Sequence, residues 1–404
     1  MKKIIQILWK LFLFSFPFSL HWVWYEAASY RFGNFNPWVT GFMFLPEVFL
    51  FFIFVLYWFF YSKRDARFCV STSVLVLFLL FLLNAGVVTF FHGDMRLYAF
   101  FVMHILFGFL VYRLLRDEVV PFSESLRWLL FGALFQVCLA LGQVLLNHSV
   151  GLSFLGEPHV GPQVMNVAKN KTEVETVIRG YGTFLHPNIL AAYLLTIFLV
   201  AIPHLKKAAF LLWSFILLFG VYLTGSQAAE LTLGVVLVVY LFLRMIKSVS
   251  SQKTMIFGFL AIFFTLNAWF FFNADQLKSD DASIQERVAQ TELSRSMMSQ
   301  YPTGVGVAQF TLVTEEISPT KLEPWEYQPV HNVYFLVLSE LGVQGLILLL
   351  LTIVAMLALT KKPLQALPFL ALVTIAAFDH LLMTSYVGFF LIAIGVFLLA
   401  KKHV

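Results

Sequence analysis

The sequence has 404 residues, of which 60% are hydrophobic and only 12% are charged, and its net charge is +5. A soluble domain carries about 25% charged residues, so this composition excludes a soluble enzyme, a disordered chain and a disulfide scaffold. Membrane spans need about 20 apolar residues each, and the apolar content is enough for twelve of them. The composition therefore predicts a polytopic helical membrane protein.

Twelve apolar runs follow one another along the chain, and we predict that each crosses the membrane as a helix. Together they form an all-α transmembrane bundle, a single integral membrane domain over residues 1–404. The first run follows Met-Lys-Lys and resembles a signal peptide, but it lacks a clear cleavage site and we interpret it as an uncleaved span. The runs cover residues 4–24, 39–61, 68–91, 96–115, 128–147, 187–205, 208–225, 228–246, 254–273, 333–359, 364–383 and 386–400.

Basic residues predict the orientation of these spans, because lysine and arginine collect in the segments that face the cytoplasm. With the N-terminus inside, 18 of the 27 basic residues and only 4 of the 22 acidic residues fall in cytoplasmic segments. Both termini are therefore predicted to be cytoplasmic, and no basic patch is left for nucleic acid. The 18 residues are Lys2, Lys3, Lys10, Lys63, Arg64, Arg67, Arg113, Arg116, Arg127, Lys206, Lys207, Arg244, Lys247, Lys253, Lys361, Lys362, Lys401 and Lys402.

Two predicted external loops are long, at residues 148–186 and 274–332. Connections longer than about 12–15 residues are commonly functional, and both of these contain aromatic and aliphatic residues among the polar ones. No nucleotide-binding or HExxH motif occurs, so a nucleotide-driven pump and a zinc protease have no support. We expect the chemistry at the outer face of the membrane.

The second long loop predicts a surface helix. Residues 283–286 have the form of a capping box, so the helix starts near Ser283, and it ends at about Gln300, before Tyr301-Pro302. Its apolar residues share one face, as is typical of a helix that lies on a membrane. That face carries Ile284, Val288, Arg295 and Met298, with Arg287 at its border.

Three polar stretches belong together at the outer face. The first, Arg179-Gly-Tyr-Gly-Thr-Phe-Leu-His186-Pro187-Asn188, precedes the sixth span. The second begins with Glu286-Arg287 and leads to Tyr301-Pro302-Thr-Gly304-Val-Gly306. The third is His331-Asn332, followed after nine residues by Gly342 and after two more by Gly345.

These stretches, in residues 179–345, resemble the O-antigen ligase superfamily, which also contains Wzy-type polymerases and protein O-oligosaccharyltransferases. The signature of that family is His, then Asn, Ser or Gln, nine residues, Gly, two residues, and Gly, Thr or Tyr, and residues 331–345 fit it throughout. The G-T-F-x-H-P-N element at 182–188 and the E-R helix before Tyr301-Pro302-Thr-Gly304-Val-Gly306 also resemble the family.

The resemblance implies a GT-C-like glycosyltransferase in the bacterial cytoplasmic membrane. Such an enzyme moves a glycan from an undecaprenyl-pyrophosphate carrier to an acceptor hydroxyl at the outer face. The expected partners are that donor, a lipid, glycan or protein acceptor, and membrane lipids. No metal or other cofactor is expected, because the pyrophosphate already activates the donor.

The resemblance also assigns roles to residues. His331 is the candidate catalytic base, since histidine exchanges a proton near neutral pH. Arg179 and Arg287 are the candidate pyrophosphate ligands, because guanidinium groups match phosphate oxygens. Further residues expected to line the site are His186, Asn188, Gln227, Glu230, Asn332, Glu340, Asp379 and His380.

Gln227 departs from the family pattern, in which a Ser-Arg element stands between the seventh and eighth spans. Here Ser226 is followed by Gln227, which supplies no positive charge. Three interpretations stay open: Arg179 and Arg287 suffice, the chain takes a different substrate, or activity is lost.

Two other functions compete with the glycosyltransferase. A secondary transporter also commonly has twelve spans, and the intramembrane residues Glu47, Glu230 and Asp379 resemble ion-coupling sites. It predicts two related halves, which we do not find. The other competitor is a catalytically silent binding protein. Within the superfamily, a polymerase is the alternative to a ligase.

Overall fold

The structure is a computed structural model that describes residues 2–400, apart from 27–28, 32–33, 62–70, 172–175, 278, 280, 319–321 and 324–325. The basic loop with Lys63, Arg64 and Arg67 and the C-terminal Lys401 and Lys402 lie outside the described residues. In the part that is described, helices dominate and the strands form three short antiparallel pairs. The predicted helical bundle is confirmed.

The helices are as follows: α1 Lys2–Ser15, α2 Leu45–Tyr61, α3 Thr72–His92, α4 Met95–Arg116, α5 Phe122–Leu146, α6 Pro187–Ala201, α7 Lys207–Thr224, α8 Gln227–Met245, α9 Val249–Asn273, α10 Ala282–Gln300, α11 Phe310–Ile317, α12 Val333–Ala358, α13 Leu367–Ile375, α14 Leu381–Thr384 and α15 Tyr386–Ala400. The strands are β1 His21–Tyr25, β2 Tyr30–Arg31, β3 Asn34–Phe35, β4 Gly41–Phe44, β5 Lys169–Lys171 and β6 Thr176–Ile178.

Eight helices among the described residues are long and apolar enough to cross a membrane. They are α3 to α9 and α12, which correspond to eight of the twelve predicted runs. The other four runs form shorter helices: α1 has 14 residues, α2 has 17, α13 has 9 and α15 has 15. The apolar residues of α13 and α15 are mostly buried inside the bundle, which explains why these short segments are so apolar.

The first two runs are only partly helical, and the prediction of continuous spans over 4–24 and 39–61 is wrong there. Helix α1 ends at Ser15, before Pro17, and the aromatic sequence His21–Tyr25 then forms β1, which pairs with β4. Aromatic side chains favour strands as well as membranes, so hydropathy alone does not separate these two structures. The eleventh run, 364–383, is likewise divided into α13 and α14.

The polar motifs gather at one end of the bundle, where α6 and α12 begin, which we call the site end. The loop 148–186 is fixed to α5 there by buried glutamine side chains. Gln143 Oε1 accepts hydrogen bonds of 3.0 and 2.9 Å from the amides of Tyr181 and Gly182, and Gln136 Oε1 accepts one of 2.7 Å from Thr183 N. These bonds position the stretch from Arg179 to Asn188.

The turn that begins this loop is organised by Glu157, which is only 6% exposed. Its carboxylate accepts hydrogen bonds from the backbone amides of Val150, Gly151 and Leu152 and one of 2.9 Å from Gln143 Nε2. Burial raises the pKa of this carboxyl, but these hydrogen bonds outweigh it and hold the pKa below its usual range. A carboxylate at this position therefore stabilises the folded loop.

We predict that the Glu157→Gln variant is less stable than the wild type at pH 7, with a free energy of unfolding lower by about 1–3 kcal/mol. It should therefore unfold at a lower temperature. Because the folded pKa is depressed, the wild-type advantage is full above the unfolded pKa and is lost as the pH falls through the folded pKa. Thermal unfolding of both proteins in detergent from pH 7 to pH 3 should show their melting temperatures approaching each other as the pH falls. A constant difference over the whole pH range would contradict the assignment.

Helix α12 is broken at Gly342, which has φ 70° and ψ −176°. The carbonyls freed by the break accept hydrogen bonds from neighbouring amides: Val305 N donates to Ser339 O at 3.1 Å, and Gly306 N donates to Glu340 O at 2.8 Å. Asn84 of α3 donates a hydrogen bond of 3.1 Å to Leu341 O. The stretch Pro302-Thr-Gly304-Val-Gly306 therefore docks on the α12 break, which explains why these two motifs occur together.

Gly342→Ala is expected to destabilise the protein by about 1–3 kcal/mol or more. An alanine at 342 would have to adopt a positive φ, which residues other than glycine rarely do, and its Cβ would lie 2.7 Å from Pro302 O. The matched control is Gly234→Ala in α8, where no atom lies within 4 Å of the added Cβ. Apparent melting temperatures in detergent test the pair, and equal values for the two variants would contradict the role of Gly342.

Helix α10 runs from Ala282 to Gln300, and Tyr301 is its C-cap residue. These bounds agree with those predicted for the loop helix. Its N-cap is Asp281, so the predicted capping box at Ser283 is wrong in register. The buried face is also different, because α10 packs against α12, where Ser294 Oγ lies 2.7 Å from Ser339 Oγ. The buried side chains of α10 are Gln290, Thr291, Ser294 and Met297, whereas Ile284 is 40% exposed.

Candidate active site

A cavity of about 780 Å³ opens at the site end. It extends from His331, before α12, to Glu340 within α12, about 13 Å at 1.5 Å per residue. Five of the predicted site residues line it: His186, His331, Glu340, Asp379 and His380. Its other walls are largely aromatic and include Phe35, Trp38, Phe42, Phe44, Phe100, Phe101, Phe184, Phe310, Tyr327 and Tyr386.

His331 lies at the mouth of the cavity, directly before α12. Its ring Nδ1 is 2.8 Å from Gln290 Oε1, and its backbone N–H donates a 3.0 Å hydrogen bond to the same oxygen. The ring centroid of His380 is 5.1 Å away, and Trp38 packs edge-on against His380 at 4.7 Å. Two histidines from distant parts of the chain therefore meet at one cavity.

A hydrogen-bonded chain connects Arg179 to the cavity. Arg179 Nη2 donates to Asn188 Oδ1 at 2.8 Å, and Asn188 Nδ2 donates to Asp379 Oδ2 at 2.9 Å. Arg179 Nε also donates to Thr224 O at 2.5 Å, at the end of α7. The guanidinium is thus fixed by neutral acceptors, and Asn188 orients it relative to Asp379.

His186 is the N-cap of α6, where its Nδ1 accepts a 3.2 Å hydrogen bond from Asn188 N. The Asn188 side chain bonds Arg179 and Asp379. Burial lowers the pKa of His186 to about 4; Asp379 opposes this shift, whereas the nearby charges of Arg179, His331 and Arg287 reinforce it. His186 is therefore neutral at neutral pH, as its acceptor role requires.

Arg287 lies one turn before Gln290 on α10, in line with the buried side chains of that helix. Burial lowers the pKa of Arg179, and the positive charge of Arg287 lowers it further. Among the described residues, no carboxylate lies within 4 Å of either guanidinium, although Asp379 and Glu230 are near Arg179. Arg179 is connected through Asn188 to Asp379, and Arg287 is one turn from Gln290, the partner of His331, so both predicted arginines lie at the site end.

Gln227 is the exposed first residue of α8, three residues after Thr224, whose carbonyl oxygen accepts the hydrogen bond from Arg179 Nε. Gly225 approaches Arg179 Nε, so the start of α8 faces the guanidinium. Ser226, the N-cap, makes no side-chain cap bond, and its buried Oγ has no hydrogen-bond partner in the part of the chain that is described. Glu230 is exposed one turn further along α8.

Asn332 and Glu340 have clear structural roles. Asn332 caps α12 by accepting from the amides of Tyr334 and Phe335, and its Nδ2 donates to Asn267 Oδ1 of α9 and to Ala377 O. Glu340 accepts a 3.2 Å bond from Phe310 N at the start of α11, while also lining the cavity. Asn332 itself is not among the cavity-lining residues.

Sequence reasoning missed two parts of the site. Gln290, the partner of His331, is a glutamine within a polar helix and carries no motif signal. Residues 35–38, which contribute Asn36 and Trp38 to the cavity wall, lie between the first two predicted apolar runs. Their only sequence signal is the cluster Asn34-Phe-Asn-Pro-Trp38 in an otherwise apolar region. Among the described residues, no group of three or more His, Cys, Asp or Glu side chains has a geometry that fits a metal ion.

Comparison with known families identifies part of the chain. Residues 212–350 match the family model described as O-antigen ligase. The match begins in α7, includes Gln227, Arg287 and His331, and ends in α12. Of the remaining predicted site residues, Arg179 precedes the matched segment and Asp379 follows it. No curated protein matches the chain. The match confirms the predicted superfamily and supports a membrane enzyme of the ligase or polymerase type that transfers glycans.

Proposed function

Because the chain carries an O-antigen ligase domain at residues 212–350, we propose that it transfers a glycan from a polyprenyl-pyrophosphate donor to an acceptor hydroxyl. The reaction takes place in the cavity at the site end, which the charge pattern predicts to lie at the outer face of the bacterial cytoplasmic membrane. His331 is the base, and Arg179 and Arg287 bind the leaving pyrophosphate.

The reaction is a single displacement. The acceptor oxygen attacks the anomeric carbon of the donor glycan, its proton passes to a ring nitrogen of His331, and the bond between the anomeric carbon and the pyrophosphate oxygen breaks. The electron pair leaves with the polyprenyl pyrophosphate. One displacement without a protein nucleophile inverts the anomeric configuration, so the product is expected to have the opposite anomer to the donor.

The observation that carries the proposal is the pair Arg179 and Arg287 beside the histidine-lined cavity. Both guanidinium groups are partly buried, and among the described residues neither has a carboxylate within 4 Å, so a bound anion would supply the counter-charge that they lack. Pyrophosphate is such an anion, and guanidinium forks match its oxygens. Positive charge placed where the leaving group gains negative charge lowers the barrier to transfer.

The cavity supplies the acceptor site in this proposal. Its volume of about 780 Å³ is within the range of pockets for small ligands, about 300–1,000 Å³. Aromatic side chains such as Trp38 and Tyr327 offer flat apolar surfaces for a sugar ring, and the rings of His331 and His380 lie together in the same cavity. Both a ligase acceptor and a polymerase acceptor present a sugar hydroxyl; the motif at 331–345 favours the ligase slightly.

Positive charge near Gln227 comes from groups other than residue 227 itself. The start of α8 has a partial positive charge from its unpaired amides, and the partnerless Ser226 hydroxyl lies there. Together with Arg179, these groups replace part of the positive charge that an arginine at 227 would supply. Of the three interpretations of Gln227, we therefore favour an active site that relies on Arg179 and Arg287.

The proposal is tested by incubating the purified protein with a polyprenyl-pyrophosphate-linked glycan and candidate sugar, lipid and peptide acceptors, with and without EDTA. We expect transfer to one acceptor class and no inhibition by EDTA. Inhibition by EDTA would contradict metal independence. Absence of transfer with every donor, together with solute flux in liposomes containing the protein, would instead favour the transporter.

A further inference from the structure

Gln290 holds His331 through a pair of hydrogen bonds that defines the protonation of the imidazole ring. Gln290 is 4% exposed, and one oxygen, Oε1, accepts both the backbone N–H of His331 at 3.0 Å and the ring Nδ1 at 2.8 Å. We infer that Gln290 is a positioning residue that keeps the proton of neutral His331 on Nδ1 and presents Nε2 to the cavity as the base. This inference rests on the proposed function.

The backbone bond identifies the glutamine atom. A backbone N–H only donates, so the Gln290 atom that faces it is the carbonyl oxygen and not the amide nitrogen. That oxygen carries no hydrogen, so the His331 Nδ1 beside it must donate as well. In a neutral imidazole one nitrogen is protonated and the other has a lone pair. The lone pair is therefore on Nε2.

The free nitrogen is in the right place to act as the base. His331 lines the cavity, and no hydrogen-bond partner of its Nε2 occurs among the described residues. A ring with the other tautomer would present an N–H to the acceptor hydroxyl and could not accept its proton. An orienting partner of this kind is what general-base histidines commonly require.

Glu286 extends the arrangement along α10. Gln290 Nε2 donates to Glu286 Oε1 at 3.3 Å, and Gln328 Nε2 donates to the same oxygen at 3.4 Å. Residues four apart lie above one another on a helix, so Glu286 holds the amide nitrogen of Gln290 away from His331. The Glu286-Arg287 pair therefore has two separate tasks, since its glutamate supports the base and its arginine faces the leaving group.

The test compares Gln290→Leu, Gln290→Glu and the control Gln300→Leu, an exposed glutamine at the end of the same helix. Gln290→Leu removes the acceptor, and we expect kcat to fall by about 10- to 100-fold while KM for the donor stays within about two-fold. Gln290→Glu keeps both acceptor roles toward His331 but loses the donor to Glu286, so its activity should lie between those of the wild type and Gln290→Leu. Its negative charge favours protonated imidazole, so the acidic limb of the kcat/KM profile should move up by about 1 pH unit or more.

A spectroscopic measurement is independent of activity. The ¹³C and ¹⁵N ring shifts of labelled histidines distinguish the two tautomers, and comparison with His331→Ala assigns the His331 signal. We expect the Nδ1–H form in the wild type and in Gln300→Leu, and its loss in Gln290→Leu. An unchanged ring spectrum in Gln290→Leu would overturn the inference.

The kinetic outcomes separate this inference from the proposed function. Wild-type kcat in Gln290→Leu, alongside an inactive His331→Ala, would overturn the role of Gln290 and leave the proposed function intact. Full activity in His331→Ala would overturn the proposed function and, with it, the catalytic part of the inference.

Discussion

Replacing His331 by alanine is expected to reduce glycan transfer by about 10²- to 10⁴-fold, the usual contribution of a general base. His331 stands at the mouth of the cavity with one ring nitrogen bonded to Gln290, and no other described base makes these contacts. The loss should appear in kcat, while KM for the donor changes little, because the arginines that we propose to bind the pyrophosphate are untouched. Initial rates at several donor concentrations measure both parameters.

The matched control is His159→Ala, an exposed histidine in the loop 148–186 that lines no part of the cavity. It should keep wild-type rates. A His331→Ala variant that is folded, as judged by its melting temperature, and as active as His159→Ala would rule out His331 as the base. His380, whose ring is 5.1 Å from that of His331, would then be the next candidate.

The second large effect is expected at Arg287. Arg287→Gln removes the positive charge, and we expect kcat for glycan transfer to fall by about 10²- to 10³-fold. Losses of this size are found for other groups that stabilise charge in a transition state. Lys keeps the charge without the planar fork, so Arg287→Lys should recover only part of the loss. Rates of polyprenyl-pyrophosphate release measure both variants.

Arg295→Gln is the control, because Arg295 is on the same helix but pairs with Asp275 at 3.2 Å, away from the cavity. Equal rates in Arg287→Gln and Arg295→Gln would contradict a role for Arg287 in binding the leaving group. A double variant with Arg179→Gln should lose less than the sum of the two single losses, since both groups act on one anion.

The helical architecture could be predicted because hydropathy reports which solvent surrounds a segment. Where it failed, other forces decided the structure. In residues 21–44 the aromatic side chains serve strand pairing and the cavity wall, and Pro17 follows the end of α1. In residues 364–383 the polar pair Asp379 and His380 faces the cavity, and the chain is divided into two short helices there.

Helix α10 shows the limit of periodicity. Its bounds follow from local signals, since Asp281 accepts from the first amides and Pro302 prevents continuation. Its buried face follows from its partners, since Ser294 contacts Ser339 of α12 and Gln290 bonds His331, directly before α12. These partners are 45 and 41 residues away in the sequence, so the helix alone does not reveal them.

The site was predictable where a motif contained it and obscure where only the fold assembles it. His331, Arg287 and Arg179 stand in motifs, and the structure brings all three to the site end. Asn188 and Asp379 were named separately, but their hydrogen bond of 2.9 Å joins positions 191 residues apart. Gln290 belongs to no motif, because its role depends on the distance between two helices.

The central claim is that this cavity couples cleavage of a polyprenyl-pyrophosphate bond to glycan transfer through His331. The most direct measurement is the amount of polyprenyl pyrophosphate released and of glycan transferred in the same incubation, for the wild type and for His331→Ala. We predict equal amounts of the two products from the wild type and neither product above background from the variant. Glycan transfer without matching release of polyprenyl pyrophosphate, or equal yields from the two proteins, would contradict it.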